Sequence, residues 1–352
     1  MAMSPTSIDI FDTNVLVGVV PNLKTASTFM LDRFFGSVSE FDTEFISVDV
    51  EVGKRRMAPF ASPLVEGAIV EARRVTTNTF RPAYIKDKRV PDLKRPIRRA
   101  IGERIGGGDM TAGERAAANL AYEMADQLDM IQRRLEWMAN SAVQFGTVTV
   151  TGEGYPTTVV DFGRDSALNV ALTSTAKWTT ANIAGATATP RTNVQTWIQL
   201  VLQKSGAAPT DIVFTPYAWD MFTTDPKVKD TVWYPRSGDS ELNFAAASRK
   251  GGVLVGMWDG IRCWLYNEWY VDPADNTEKP MLPDKTVILC GPDLMGNRAF
   301  GAIMDPEFNY GALAYAPKSW VQKDPAVRLL MMQSAPLVVP FRANHCLCAT
   351  IN

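Results

Sequence analysis

The chain has 352 residues, of which 46% are hydrophobic and 21% charged, and a formal net charge of −2. That length and apolar fraction suit one large domain or two ordinary ones with a sizeable core, and they exclude wholesale disorder. The near-neutral charge gives no general attraction to nucleic acid or membrane surfaces, and no run approaches the ~20 apolar residues of a membrane span.

The opening MAMSPTSIDIFDTN lacks the charged-then-apolar pattern of a secretion signal, so the protein is expected to stay in the cytoplasm where it is made. Residues 1–45 are mixed, with a short apolar turn FMLDRFF at 29–35, and read as an arm that gains structure by docking on something else. From Phe45 the chain becomes strand-like: FISVDVEVG alternates apolar and polar positions, as a half-buried strand does. The apolar and basic stretch from Lys54 to Asp92 is broken by Pro59, Pro63, Gly67 and Pro82, which predicts a long hairpin with a proline- and glycine-containing tip. An extended hairpin cannot bury its own faces, so a neighbouring molecule is its natural cover. Residues 85–104 carry eight basic and three acidic side chains, a net of +5. Either they meet an acidic partner (another subunit, an assembly factor or nucleic acid) or they form a solvated segment balanced elsewhere. No interleaved aromatic platform for nucleic acid is visible in that stretch.

Residues 104–115, RIGGGDMTAGER, pose the question of a phosphate loop. Such a loop follows a buried apolar strand and ends in a Lys-Ser/Thr pair or a further spaced glycine. Gly106, Gly107 and Gly108 instead follow a basic, helix-like stretch, and Asp109 would repel a phosphate, so they read as a hinge. Thr111 and Glu114 then form a capping box that opens a long helix over 111–145. Leu120, Met124, Leu128, Ile131, Leu135, Met138 and Ala142 recur at intervals of three and four as one apolar stripe. Asp126, Asp129, Arg133 and Asn140 fall off that stripe, and Asp129 with Arg133 makes a favourable i,i+4 pair. A rod of this length is expected to lie across a sheet and brace an extended molecule.

TVTVTGEGYPTTVVDFG at 147–163 predicts a hairpin, followed by a Thr/Ala/Gly-rich connection to about residue 190. A helix over 192–206 ends at Gly206, a suitable C-cap, and DIVFTPYAWDMF at 211–222 reads as a strand running into a turn or helix. Further strands are predicted at 253–272 and 285–291, and the apolar VRLLMMQSAPLVVPF spans the core. Trp258, Trp264 and Trp269 are read as strand packing in preference to ligand stacking.

Catalytic signatures are missing. The single histidine, His345, rules out HExxH and leaves any nucleophile-histidine site resting on one C-terminal residue, while GxSxG, GxxxxGK[ST] and the EF-hand loop do not occur. Cys263, Cys290, Cys346 and Cys348 are too scattered for a disulfide framework. His345, Cys346 and Cys348 raise a zinc reading, yet they crowd into one strand-like segment without the loops a structural site uses. No catalytic residue, cofactor or metal is expected.

The order of elements, together with SPLVEG (62–67), TFRPAYIKDK (79–88), VTGEGYPTTVVDFGR (150–164), RSGDSELNFA (236–245), GMWDGIRCWLYNEWYV (256–271), LPDKTVIL (282–289), YAPKSW (315–320) and KDPAVRLLMMQSAPL (323–337), resembles the lambda-type tailed-phage major capsid protein family. The resemblance implies an α+β chain with the capsid fold named for the Hong Kong 97 phage: N-terminal arm, extended β-hairpin loop, long spine helix, peripheral domain and axial domain. Carried over, the arm is 1–45, the extended loop and its return segment 46–110, the peripheral spine helix and β-hairpin 111–164, and the mainly axial remainder 165–352, with a return through the peripheral sheet. It further implies a virion shell of hexamers and pentamers, assembled in the bacterial host cytoplasm as a smaller precursor that expands as DNA is packaged. Scaffold, portal and decoration proteins are the implied partners, with the DNA enclosed without sequence-specific binding and no membrane involved. Some phages of this fold weld subunits through a Lys–Asn isopeptide bond. No such trio of groups stands out here, so non-covalent assembly is expected. Candidate inter-subunit contacts are Arg55, Arg56, Phe60, Phe80, Tyr84 and Lys86, and the candidate hinge is Gly106, Gly107 and Gly108. The alternatives are an encapsulin-like compartment shell, an oligomeric cytosolic enzyme and a phage tail-tube protein.

Overall fold

The structure is a computed structural model that describes residues 26–52, 57–58, 60, 74–90, 112–152, 154–232, 251–324 and 327–352. The chain opens with α1 (Phe29–Phe34) and β1 (Ser37–Glu40), then the antiparallel pair β2 (Ile46–Val52) and β3 (Arg74–Phe80), then β4 (Ile85–Arg89). Next come α2 (Ala112–Phe145) and the hairpin β5 (Thr147–Gly152) and β6 (Tyr155–Asp161). The second half begins with β7 (Asn169–Ala171), α3 (Thr180–Ala184), α4 (Pro190–Ser205), β8 (Asp211–Phe214), α5 (Pro216–Thr224) and α6 (Pro226–Lys229). It continues with β9 (Gly252–Trp258), β10 (Ile261–Tyr266), β11 (Trp269–Val271), β12 (Glu278–Pro280), β13 (Thr286–Cys290) and β14 (Gly296–Phe300). It closes with β15 (Ala316–Gln322), β16 (Val327–Ser334), β17 (Pro336–Pro340) and β18 (Leu347–Thr350).

A six-stranded mixed sheet, ordered β7-β18-β13-β8-β10-β9, stands as a wall between two apolar cores. Strands buried on both faces need apolar residues at every position, and β13, TVILC, is buried throughout. Its alternation sorts the faces. Val287 and Leu289 point into the core shared with α4 and α5, while Ile288 and Cys290 point into the core shared with α2. On the first side Trp178 stacks on Trp197 with ring centres 5.6 Å apart, and Phe222 meets Trp258 edge-on at 5.5 Å. Residues 165–190 are therefore more structured than their small-residue composition predicts: β7, α3 and the fully buried Trp178 all lie within them. One isolated aromatic carries no periodic signal, which is why composition alone misses it.

On the second side α2 runs for 34 residues, about 50 Å. Ile131, Leu135, Met138 and Ala142 are buried as the stripe requires, and Asp129 pairs with Arg133 at 2.8 Å. The helix begins at Ala112, directly after Thr111; the side chains of Thr111 and Glu114 lie outside the described residues. Asn140 departs from expectation: it is buried, because its amide donates to the Glu136 carbonyl oxygen at 2.8 Å and to the Tyr266 hydroxyl at 3.0 Å. Against α2 pack a three-stranded sheet β15-β16-β4 and a second one, β1-β14-β17.

Residues 26–35, expected as an arm docking elsewhere, dock on this chain's own core. Met30, Leu31, Phe34 and Phe35 are buried, and β1 extends the sheet by pairing in parallel with β14. Glycines make room for them: a Cβ on Gly252 would sit 2.2 Å from the Phe29 ring, and one on Gly296 would sit 2.3 Å from the Phe34 carbonyl oxygen.

Candidate assembly surface

β2 and β3 form seven antiparallel pairs, from Ile46↔Phe80 to Val52↔Arg74, and no third strand joins them among the described residues. The root of this hairpin is fastened to the body. Phe80 meets Phe162 edge-on at 5.7 Å, and across the root itself Arg81 pairs with Glu44 at 2.9 Å. Beyond the ladder, Met57 and Phe60 present their side chains almost wholly to solvent. Arg55, Arg56, Gly106, Gly107 and Gly108 lie outside the described residues.

Tyr84 and Lys86 lie at the start of β4. The Tyr84 hydroxyl donates to Gln333 Oε1 at 2.7 Å and accepts the Met304 N–H at 3.1 Å. Burial pushes this phenol up, only partly offset by the Met304 N–H. Lys86 Nζ stands 5.3 Å from the centre of the Tyr84 ring, and Lys88 Nζ 5.5 Å from that of Trp320, so two exposed cations rest on aromatic faces. This basic-aromatic pairing was invisible in residues 85–104 because Trp320 comes from a distant strand. Gln333 also donates to Asp305 at 2.9 Å, and Lys318 meets the same carboxylate at 3.0 Å.

The opposite side of β4 is clamped to α2. Arg89 reaches Asp87 at 3.0 Å, Glu123 at 3.0 Å and Asp126 at 2.5 Å. Burial works against the Arg89 charge, but Asp126, Glu123 and Asp87 together outweigh it and hold the pKa above its ordinary value. Gln127 adds a bond from its amide to the Asp87 carbonyl oxygen at 3.0 Å. Sequence reading placed Asp126 off the apolar stripe but singled out neither Arg89 nor Glu123 and Asp87; the available signal was three polar side chains, at 123, 126 and 127, grouped on one side of an amphipathic helix. The candidate contact residues thus fall into an inward group, Phe80 and Tyr84, and an outward group, Phe60 and Lys86.

A cleft of about 70 Å³ lies between Glu44, Arg81, Pro82, Tyr84, Ala302, Met304 and Ala335. Small-molecule sites run to ~300–1,000 Å³, so this cleft cannot enclose a substrate. His345 is buried with Nδ1 3.2 Å from Ser205 Oγ, and Cys346 donates to the Val143 carbonyl oxygen at 3.3 Å. Among the described residues, no three His, Cys, Asp or Glu side chains converge as a metal site, and no helix is long and apolar enough to cross a membrane.

A wall-like mixed sheet, a long bracing helix and a separate two-stranded hairpin together define the capsid fold named for the Hong Kong 97 phage. Solved structures agree on that fold. A prophage capsid protein of E. coli CFT073 superposes with a TM-score of 0.70 at 20% identity, covering 93% of this chain and 94% of its own. The capsid of Ralstonia phage GP4 follows with a TM-score of 0.51 at 12% identity, covering 92% of this chain and 88% of its own. The chain belongs to the phage major capsid protein E family, which it matches over residues 12–351. The major capsid protein of Escherichia phage lambda is 30% identical over 314 residues, 88% of this chain and 89% of that protein. That of Escherichia phage N15 is 28% identical over 338 residues, 94% and 96% respectively. The molecule is a structural component of a tailed-phage capsid, not an enzyme; its copies assemble into a multimeric shell, and its place is the virion.

Proposed function

We propose that this chain builds its shell as hexamers and pentamers through the β2–β3 hairpin, which lies over a neighbouring copy as an extended loop. In this reading α2 is the spine of the peripheral domain. The six-stranded sheet with α4 and α5 belongs to the axial domain, gathered at the five- and six-fold centres, and β15-β16-β4 is the return through the peripheral sheet. Assembly takes place in the host cytoplasm without covalent links, first as a precursor that expands during DNA packaging, with Gly106, Gly107 and Gly108 as the joint between loop and spine. Scaffold, portal and decoration proteins are the partners, and the DNA is enclosed without sequence-specific contacts.

The observation that carries this reading is the two-stranded ladder β2–β3, to which no third strand is paired among the described residues. A lone hairpin is marginal in water, so identical neighbours are the economical cover. Phe60 and Met57, almost fully exposed, are the apolar side chains such a cover would bury. The test replaces residues 53–73 by a two-residue Asn-Gly turn and assays shell formation by electron microscopy. The expected result is a folded subunit that no longer closes shells. Normal shells from the shortened chain would refute the reading.

A further inference from the structure

Glu136 sits in the body of α2 with none of its surface exposed. Its carboxylate accepts the Met30 N–H at 2.9 Å and the Leu31 N–H at 3.0 Å, both in α1, and the Tyr266 hydroxyl at 2.9 Å from β10. All three donors are neutral. The charge facing it from α1 is Asp32, of like sign and itself held by Arg298 at 2.7 Å. Arg33, on the same helix, turns away to Asp211 at 3.0 Å. Nearer the start of α2, Asp129 and Arg133 pair with each other, and Asp129 also accepts the Ala26 N–H at 2.5 Å. In the link between β10 and β11, Glu268 faces the Arg133 charge and bonds to Ser27.

We propose that the docking of residues 26–35 onto α2 is a proton-controlled latch, closed most firmly when the Glu136 carboxyl is neutral. A buried carboxylate without a cation is costly, and a protonated carboxyl is not. Burial pushes Glu136 up to about 7, against the opposing pull of the Met30, Leu31 and Tyr266 donors. Once α1 lifts away, the group returns to an ordinary glutamate value of ~4.3. Because the docked pKa is the higher one, the contribution is complete below about pH 4, declines as pH rises towards 7, and levels off above that. Glu268, also pushed up by its burial, acts in the same direction. At neutral pH the latch is therefore near its loosest setting, and no ion pair at Glu136 has to break for the segment to leave. The latch belongs to a single chain and does not rest on the shell geometry proposed above.

Amide hydrogen exchange on the full-length, unassembled chain tests it. Protection factors, which divide out the intrinsic pH dependence of exchange, are followed for the amides of residues 29–35 between pH 5 and pH 8. The expected result is a rise of up to about tenfold per pH unit on going from pH 7 to pH 5, with little change from 7 to 8. Glu136→Gln removes most of that slope. Tyr266→Phe, which deletes a donor to the carboxylate, moves the upper limit of the window to higher pH. Protection independent of pH in the unmodified chain, or an unaltered slope in Glu136→Gln, overturns the proposal. Should Glu136→Gln fail to fold, an unmoved window in Tyr266→Phe overturns it equally.

Discussion

Arg164 reaches back 21 residues to close the end of α2, donating from Nη1 to the carbonyl oxygen of Val143 at 2.5 Å. Its Nη2 serves the Gln144 carbonyl oxygen at 2.5 Å and also the Asn169 side chain. The last turn of a helix leaves carbonyl oxygens without partners, and a cation there also meets the negative end of the helix dipole. Gly146, at φ +73°, turns the chain into β5, and a Cβ at that position would lie 2.7 Å from the Arg164 Cβ.

Arg164→Met keeps the apolar stem and deletes the donors, taking the Arg164 bond from the Gln144 carbonyl and leaving that of Val143 with only the weak Cys346 thiol donor. The expected cost is about 2–3 kcal/mol. Chemical denaturation of the unassembled chain should show a lower midpoint, with helix content retained.

The glycine notch that receives α1 gives a sharper contrast. Gly252→Ala forces a Cβ into the Phe29 ring, whereas a Cβ on Gly36 meets nothing within 4 Å. Overpacking of this kind costs about 1–3 kcal/mol. Hydrogen exchange in residues 29–35 should quicken in Gly252→Ala and stay unchanged in Gly36→Ala.

Local periodicity carried much of this fold. The stripe through Ile131, Leu135, Met138 and Ala142, the β5–β6 hairpin and the Gly206 end of α4 were all legible, because each is set by residues close together in sequence. What was not legible depends on distant partners. Asn140 and Glu136 look like solvent-facing helix residues until Tyr266 and α1 arrive to satisfy them. Lys88 looked like one charge in a basic run until Trp320 was laid beside it. FMLDRFF read as an arm because its apolar residues needed a partner surface, and periodicity cannot say that the surface is 100 residues further along the same chain. The β2–β3 hairpin was legible as a ladder from its alternating residues, while nothing in that alternation says what it meets.

Asp211 is the charged junction between the two halves. Fully buried at the start of β8, it accepts from Arg33 at 3.0 Å, from Arg262 at 3.1 Å and from Trp264 Nε1 at 2.8 Å. Removing one side of a buried ion pair leaves the other uncompensated and costs about 3–5 kcal/mol; the partial exposure of both arginines puts Asp211→Asn at the lower end of that range. Soluble yield and thermal midpoint should both fall. Glu40→Gln, an exposed strand-end carboxylate, should leave them unchanged.

All four cysteines are buried and free. Burial pushes the Cys263 and Cys348 thiols up to about 12, which leaves almost no thiolate at neutral pH. An aromatic disulfide reagent is expected to label none of the four in the native chain within minutes and all four after denaturation. Rapid labelling of Cys263 or Cys348 in the native protein would contradict their placement in the core.

Asp305 gives the pH response opposite to that of Glu136. Lys318, then Gln333 and the Glu307 N–H, hold its carboxyl below the usual aspartate range. A depressed folded pKa means that the contribution of this contact is complete above the ordinary aspartate value of ~3.9 and is lost as pH falls through the lower, folded value. The turn that pairs Ile303 with Gly311 is therefore expected to keep its amide protection through mild acid, over the same interval in which docking of residues 26–35 tightens. Lys318→Met removes the principal cation and lets the folded value rise towards the ordinary one, so protection at Ile303 should be lower at neutral pH and fall less on acidification, while the response of residues 29–35 stays as it was. A joint shift of both segments would show that one global acid transition, and not two local carboxyls of opposite sign, governs the chain.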